Sequence, residues 1–220
     1  MRRSVAFLLF SLSALLPVYG KPLTYKGGTL VETRNNGAEN SVIVTHTVTP
    51  RMALGARVDY FSGDEEWLTT VTYSHLLKRW NTPDSQANVW VTLGAGVMSQ
   101  SGDNDYDNGG MGNLNNDAEA AATIGISADW ETRRWYLSYE NRFIASDDSK
   151  FHQSARVGVA PYIGSYNGIN TWLMVQVDHR PDEDESFAVT PFIRLYNQRI
   201  MGEIGISTRG DVLFNASVQF

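Results

Sequence analysis

The last nine residues alternate between two kinds of side chain. Val212, Phe214, Ala216, Val218 and Phe220 take the even positions, and Leu213, Asn215, Ser217 and Gln219 the odd ones. Successive side chains of an extended chain point to opposite faces, so this period of two marks a strand with one apolar face. The pattern recurs upstream. Val89, Val91, Leu93, Ala95 and Val97 oppose Asn88, Trp90, Thr92, Gly94 and Gly96. Ala155, Val157, Val159 and Ile163 oppose Ser154, Arg156, Gly158 and Tyr162. Leu173, Val175 and Val177 oppose Gln176, Asp178 and Arg180, and Ile200, Ile204 and Ile206 oppose Glu203 and Ser207. No segment carries a helical apolar stripe, which leaves an all-β chain.

Breaks in the alternation divide the chain into about twelve strands. They are expected near residues 23–34, 40–49, 52–61, 67–78, 87–99, 118–130, 133–145, 152–164, 169–180, 186–197, 199–208 and 211–220. Gly27-Gly28 interrupts the first, so ten strands after an N-terminal segment is the smaller count. The connections fall into two alternating sets. Thr49-Pro50-Arg51, residues 78–86, Glu131-Thr132-Arg133, residues 165–168 and Asn197-Gln198-Arg199 are short or moderate. Residues 35–39, 62–66, 100–117, 146–150, 181–185 and 209–211 are acidic. If the strands run up and down, the carboxylates collect at one end and a mildly basic set at the other. Short turns at one end and longer loops at the other is the asymmetry of an outer-membrane barrel.

A period of two does not say which face is buried, since a soluble sandwich hides the apolar face and a membrane barrel shows it to lipid. Three features favour the barrel over a soluble periplasmic sandwich. The polar faces carry both signs of charge, among them Arg57, Asp59, Glu140, Arg142, Arg156, Asp178, Arg194 and Glu203. Small residues are frequent along the strands, as in Gly94-Ala95-Gly96, where a soluble core would want bulk. Aromatics recur near strand ends at Tyr60, Trp67, Trp80, Trp130, Trp135, Phe187 and Phe220, as interfacial girdles do. The expected fold is a closed, antiparallel, up-and-down transmembrane β-barrel. Backbone groups in a bilayer must all pair, so the sheet has to close.

The first twenty residues read as an address. Met1-Arg2-Arg3 is followed by an apolar stretch from Val5 to Leu16, and small Val18 and Gly20 precede Lys21. This is the build of a secretory signal peptide, with residues 21–220 as the exported barrel. The apolar part would reach only about 18 Å as a helix, short of a ~30 Å hydrocarbon core. The chain has no cysteine, which removes disulfide scaffolds, thiolate metal sites and lipidated cysteine anchors. A net charge of −6 with no basic block argues against nucleic acid as a partner.

The terminal Phe220, preceded by apolar residues at every second position, resembles the C-terminal signal of bacterial outer-membrane β-barrel proteins. That resemblance implies the barrel-assembly machinery as a partner during biogenesis and the Gram-negative outer membrane, with its lipid and lipopolysaccharide, as the setting. In strand number and size the chain is similar to twelve-stranded small porins that pass acidic sugars. The segment Leu77-Lys78-Arg79-Trp80-Asn81-Thr82-Pro83-Asp84-Ser85-Gln86-Ala87-Asn88, with Trp130-Glu131-Thr132-Arg133-Arg134, resembles an uncharacterised family of exported proteobacterial proteins loosely associated with heavy-metal efflux clusters.

Arg57, Arg142, Arg156 and Arg194 share the inward parity of their strands, as do Glu140, Asp178 and Glu203. Two arrangements follow: a ladder of arginines guiding anions, or arginine–carboxylate pairs that fill the lumen and rigidify it. The first conducts and the second plugs. Asp103, Asp105 and Asp107 alternate as calcium ligands do, but glycine comes one place late and Leu114 stands where a loop would close with glutamate. A hydrated acidic loop at the pore mouth is the better reading, and no cofactor is implied. His152 and Ser154 lie on one strand face, similar in spacing to the histidine and serine of outer-membrane phospholipases, without that family's asparagine- and glycine-rich surroundings. The expected function is passive diffusion of small polar or charged solutes. A plugged barrel whose acidic loops bind cations, lipopolysaccharide or a partner is the alternative, and a lipid-acting enzyme the third.

Overall fold

The computed structural model describes residues 24–100, 118–165, 168–183 and 185–220. Twelve strands form one closed antiparallel barrel in which each strand pairs with its neighbours in sequence and the first pairs with the last. The strands are β1 (Thr29–Asn35), β2 (Glu39–Thr49), β3 (Met52–Phe61), β4 (Glu66–Asn81), β5 (Ser85–Gln100) and β6 (Glu119–Thr132), then β7 (Trp135–Ala145), β8 (Lys150–Val159), β9 (Asn170–His179), β10 (Phe187–Asn197), β11 (Ile200–Ile206) and β12 (Val212–Gln219). The up-and-down barrel and its larger strand count are those expected from the alternation. The leader expected at residues 1–20 and the acidic-loop residues Asp103, Asp105 and Asp107 lie outside the described residues.

Closure depends on the terminal alternating stretch. Leu30 pairs with Gln219, Val31 with Val218, Glu32 with Ser217 and Thr33 with Ala216. Thr29 and Phe220 exchange both backbone hydrogen bonds at the seam, at 3.1 and 2.9 Å. No edge strand is left, which is the condition for a sheet to sit in lipid.

Two strands run further than the alternation suggests. Residues 78–86 read as a connection, yet Lys78 pairs with Val89 and Asn81 with Gln86, leaving only residues 82–84 as the turn. A register shift between Leu76 and Lys78 is the reason. The extra residue of a bulge breaks the sequence parity at Leu77 while the ladder continues. Β1 begins only after Gly27, whose φ of +84° is a left-handed conformation that glycine adopts without strain. Gly96 meets a different demand. A Cβ there would stand 1.8 Å from the Thr69 carbonyl oxygen, so the wall of β4 and β5 can approach this closely only with glycine.

The apolar faces point outward. Val71 is 69% exposed and Ile204 60%, whereas Asp59, Arg194 and Glu203 are buried inside the barrel. Among the described strand residues every Asp, Glu and Arg has inward parity, and Lys78 at the turn end is the one charged side chain facing outward. Trp67 and Phe187 stand exposed at the loop end, and Trp80, Trp130, Trp135 and Phe220 at the turn end. Β7 runs from Trp135 to Ala145 between these levels. Its ten steps of ~3.4 Å, tilted by about 40°, rise roughly 26 Å, close to the ~25 Å apolar band of outer-membrane barrels.

Candidate functional site: a lumen crossed by ion pairs

The interior is built by parity. Each strand turns every second side chain inward, and the stagger of the ladder decides which of them meet. Toward the loop end, carboxylates and guanidiniums from facing walls are in contact. Arg34 on β1 donates to Glu32 on its own strand at 2.6 Å and to Glu140 on β7 at 3.0 Å. Arg142 on β7 reaches Glu39 on β2 at 3.2 Å and Asp59 on β3 at 2.7 Å. Arg57 closes the group, bonding Asp59 at 2.6 Å and Glu39 at 2.5 Å, while the Ser41 hydroxyl donates to Asp59 at 2.7 Å. Β7 lies opposite β1 in the ring and four or five places from β3 and β2, so these bonds cross the lumen.

His152 joins from β8. Its Nε2 lies 3.1 Å from Asp178 on β9 and its Nδ1 3.6 Å from Glu39 on β2. Asp178 also accepts from the Gln176 amide at 2.6 Å. Two positive centres here, Arg57 and Arg142, share the two carboxylates of Glu39 and Asp59. Removing one partner of such a network leaves the others uncompensated inside the barrel.

A second group lies toward the turn end. Glu203 on β11 accepts from Arg194 Nε at 2.6 Å, Asn215 Nδ2 at 2.6 Å and Arg156 Nη1 at 3.4 Å. The Arg194 guanidinium sits 4.7 Å from the Tyr136 ring centre and that of Arg156 sits 5.6 Å from Phe192. Between the two groups is a cavity of about 190 Å³ whose lining includes Thr45, Ser74, Thr92, Ser127 and Ser138. Hydroxyls of this kind both donate and accept, so the chamber suits water and small polar solutes.

Arg57, Arg142, Arg156, Arg194, Glu140, Asp178 and Glu203 therefore all face the lumen, but the arginines do not stand as an unaccompanied file. Each has a carboxylate beside it. Sequence reasoning missed Arg34 and Glu32, which lie on the strand that Gly27-Gly28 obscured; their shared parity was the available signal. It assigned Glu39 to an acidic loop, whereas Glu39 is the first residue of β2 and points inward. The inward Trp172, Met174 and Phe192 were also missed, and with Tyr136, Ala160 and Leu213 they form a buried apolar cluster inside the barrel.

His152 and Ser154 both face the lumen. Ser154 Oγ is buried with no hydrogen-bond partner among the described residues, and the His152 nitrogens are directed to Asp178 and Glu39. Neither group faces the outer side of the wall. Among the described residues no group of three or more His, Asp or Glu is placed to hold a metal ion.

No family model matches the sequence, and no curated protein matches it. Among solved structures, a KdgM porin is similar at 10% identity and a TM-score of 0.49, over 88% of this chain and 98% of that one. The same figures hold for the KdgM porin in complex with disordered oligogalacturonate. The translocator domain of the autotransporter NalP from Neisseria meningitidis gives 9% identity and a TM-score of 0.35, over 87% of this chain and 85% of that one. The chain's own closed strand order assigns its architecture independently of these likenesses.

Proposed function

We propose that the chain spans the outer membrane of a Gram-negative cell and is a narrow channel for small polar or charged solutes. The charge sorting of its wall supports the membrane setting: an outward surface of aliphatic and aromatic side chains, and an interior holding all the strand carboxylates and arginines. Outer-membrane lipid and lipopolysaccharide are then its surroundings, and the barrel-assembly machinery its partner during insertion.

The ion pairs that cross the lumen carry the functional reading. Arg34–Glu140 and Arg142–Glu39–Asp59 form the constriction, and a solute passes by exchanging with them as a counter-ion or by moving through their hydration. Only small solutes fit a passage braced in this way. The acidic residues at the loop end raise the local concentration of cations at the mouth.

Conductance in planar lipid bilayers tests the proposal. The expected result is a small unitary conductance that rises several-fold in Glu140→Ala, because one wall-to-wall bond is lost and the side chain that made it is shortened. A second reading, a plugged structural barrel, is favoured by the inward apolar cluster of Trp172, Met174, Phe192 and Leu213. Wild type and Glu140→Ala that both insert, shift on heating in a gel and remain electrically silent would establish the plug instead. The lipid-acting enzyme has no such support, since Ser154 faces the lumen. Ser154→Ala is expected to leave cellular phospholipid composition unchanged.

A further inference from the structure

The outward surface is apolar over most of its area, but one stretch of it carries a connected chain of polar groups. Asn141 and Tyr139 on β7, Gln153 on β8 and His179 on β9 all have outward parity. Asn141 Oδ1 accepts from the Ile126 backbone N–H at 3.0 Å, and its Nδ2 donates to the Tyr139 hydroxyl at 3.3 Å. Tyr139 donates to Gln153 Oε1 at 2.9 Å, and Gln153 Nε2 lies 2.7 Å from His179 Nδ1. The direction of every bond is set by the first. A backbone N–H only donates, so Asn141 presents its oxygen there and its amide nitrogen to Tyr139. Gln153 then presents nitrogen to His179, and Nδ1 is the acceptor. The imidazole proton is left on Nε2, which has no protein partner among the described residues. The ring stacks on Phe187, centroids 4.2 Å apart, at the loop-end aromatic level.

Further toward the turn end on the same strands is an apolar groove of about 580 Å³, lined by Trp135, Val157, Leu173, Val175, Pro191 and Ile193. Gln153 and Val157 are four residues apart on β8, roughly 13 Å along the strand. A hydrogen-bond donor at one end and an apolar groove below it make a surface with the polarity of an amphiphile. Polar side chains facing hydrocarbon are costly unless they find partners, and His179 Nε2 is the one group of this polar chain left to find its partner outside the described residues.

We infer that this face holds one lipid of the loop-side leaflet, whose headgroup or ester oxygen accepts from His179 Nε2 while one acyl chain occupies the groove. The inference rests on the barrel being membrane-embedded, and it is independent of whether the lumen conducts. The occupant is a lipid, since a hydrogen-bond donor at the loop-end aromatic level with an apolar groove below it on the same strands matches the polar head and acyl chain of an amphiphile.

The test uses the full barrel in vesicles of phosphatidylethanolamine and phosphatidylglycerol containing a phospholipid spin-labelled near the end of its acyl chain. Wild type is expected to show a motionally restricted lipid component beyond that of the His179→Leu/Gln153→Leu variant, and Val157→Trp, which fills the groove, is expected to lose it several-fold as well. Each variant should keep the heat-dependent gel mobility and the wild-type electrical behaviour, because the lumen is untouched. An equal restricted component in all three proteins overturns the inference. So does a wild-type dimer that these substitutions separate, which would make the face a contact between copies. Failure of every protein to insert would strike the membrane reading itself.

Discussion

Arg34 Nη1 and Glu140 Oε2 meet at 3.0 Å from β1 and β7, strands separated by six places whichever way the ring is followed. The pair therefore ties opposite walls together. Its members are 106 residues apart in sequence, and closing the barrel is what brings them to one point.

Arg142→Ala should make the passage wider and more cation-selective. It removes the guanidinium that Glu39 and Asp59 share with Arg57, and leaves two carboxylates facing one positive centre. Reversal potentials under a salt gradient read the change. An unchanged cation-to-anion ratio in a conducting variant would remove Arg142 from the constriction.

Val71→Arg separates a lipid-facing wall from a water-facing one. Val71 is 69% exposed and lies well inside β4. In water such a substitution moves stability by within about 0.5 kcal/mol. Near the bilayer midplane an outward arginine costs about 2–4 kcal/mol. Reversible unfolding in urea from lipid vesicles measures the difference, and a cost near zero would contradict the membrane setting.

Glu203→Gln should destabilise the turn-end half of the barrel. Arg194 and Arg156 both bond Glu203, and Arg194 is only 1% exposed. Leaving a buried charge without its partner costs about 3–5 kcal/mol, discounted here by whatever water the lumen admits. Pairing the change with Arg194→Met should recover part of the loss. A double variant as unstable as the sum of the two singles would show that the pair is not coupled.

Gly96→Val should fail to reach the heat-modifiable folded form. The added Cβ would meet the Thr69 carbonyl at 1.8 Å, and a backbone oxygen in the ladder cannot swing aside. A normally migrating, stable Gly96→Val barrel would mean that the wall has slack at this point.

How much of this was legible in the sequence varies by residue. Phe214 and Val218 announced their outward face, and Asn215 and Ser217 their inward one, because side-chain direction in a strand is set by each residue's own backbone. The residues of the ion-paired group across the lumen were legible as inward in the cases of Arg57, Asp59, Glu140 and Arg142. Glu39 was not, since a strand's first residue differs little in local sequence from the loop before it. The bulge at Leu77 hid the ends of β4 and β5 for a related reason: one unpaired residue inverts the parity that sequence reading depends on.

Alternation along each strand, a property of consecutive residues, was enough to specify an all-β chain of about twelve strands with charge on one face and hydrocarbon on the other. Which carboxylate meets which guanidinium was decided only when Thr29 and Phe220 joined and fixed the stagger of the ring. Parity is local, whereas a bond across the lumen depends on strand number, register and curvature together, and no stretch of sequence contains all three.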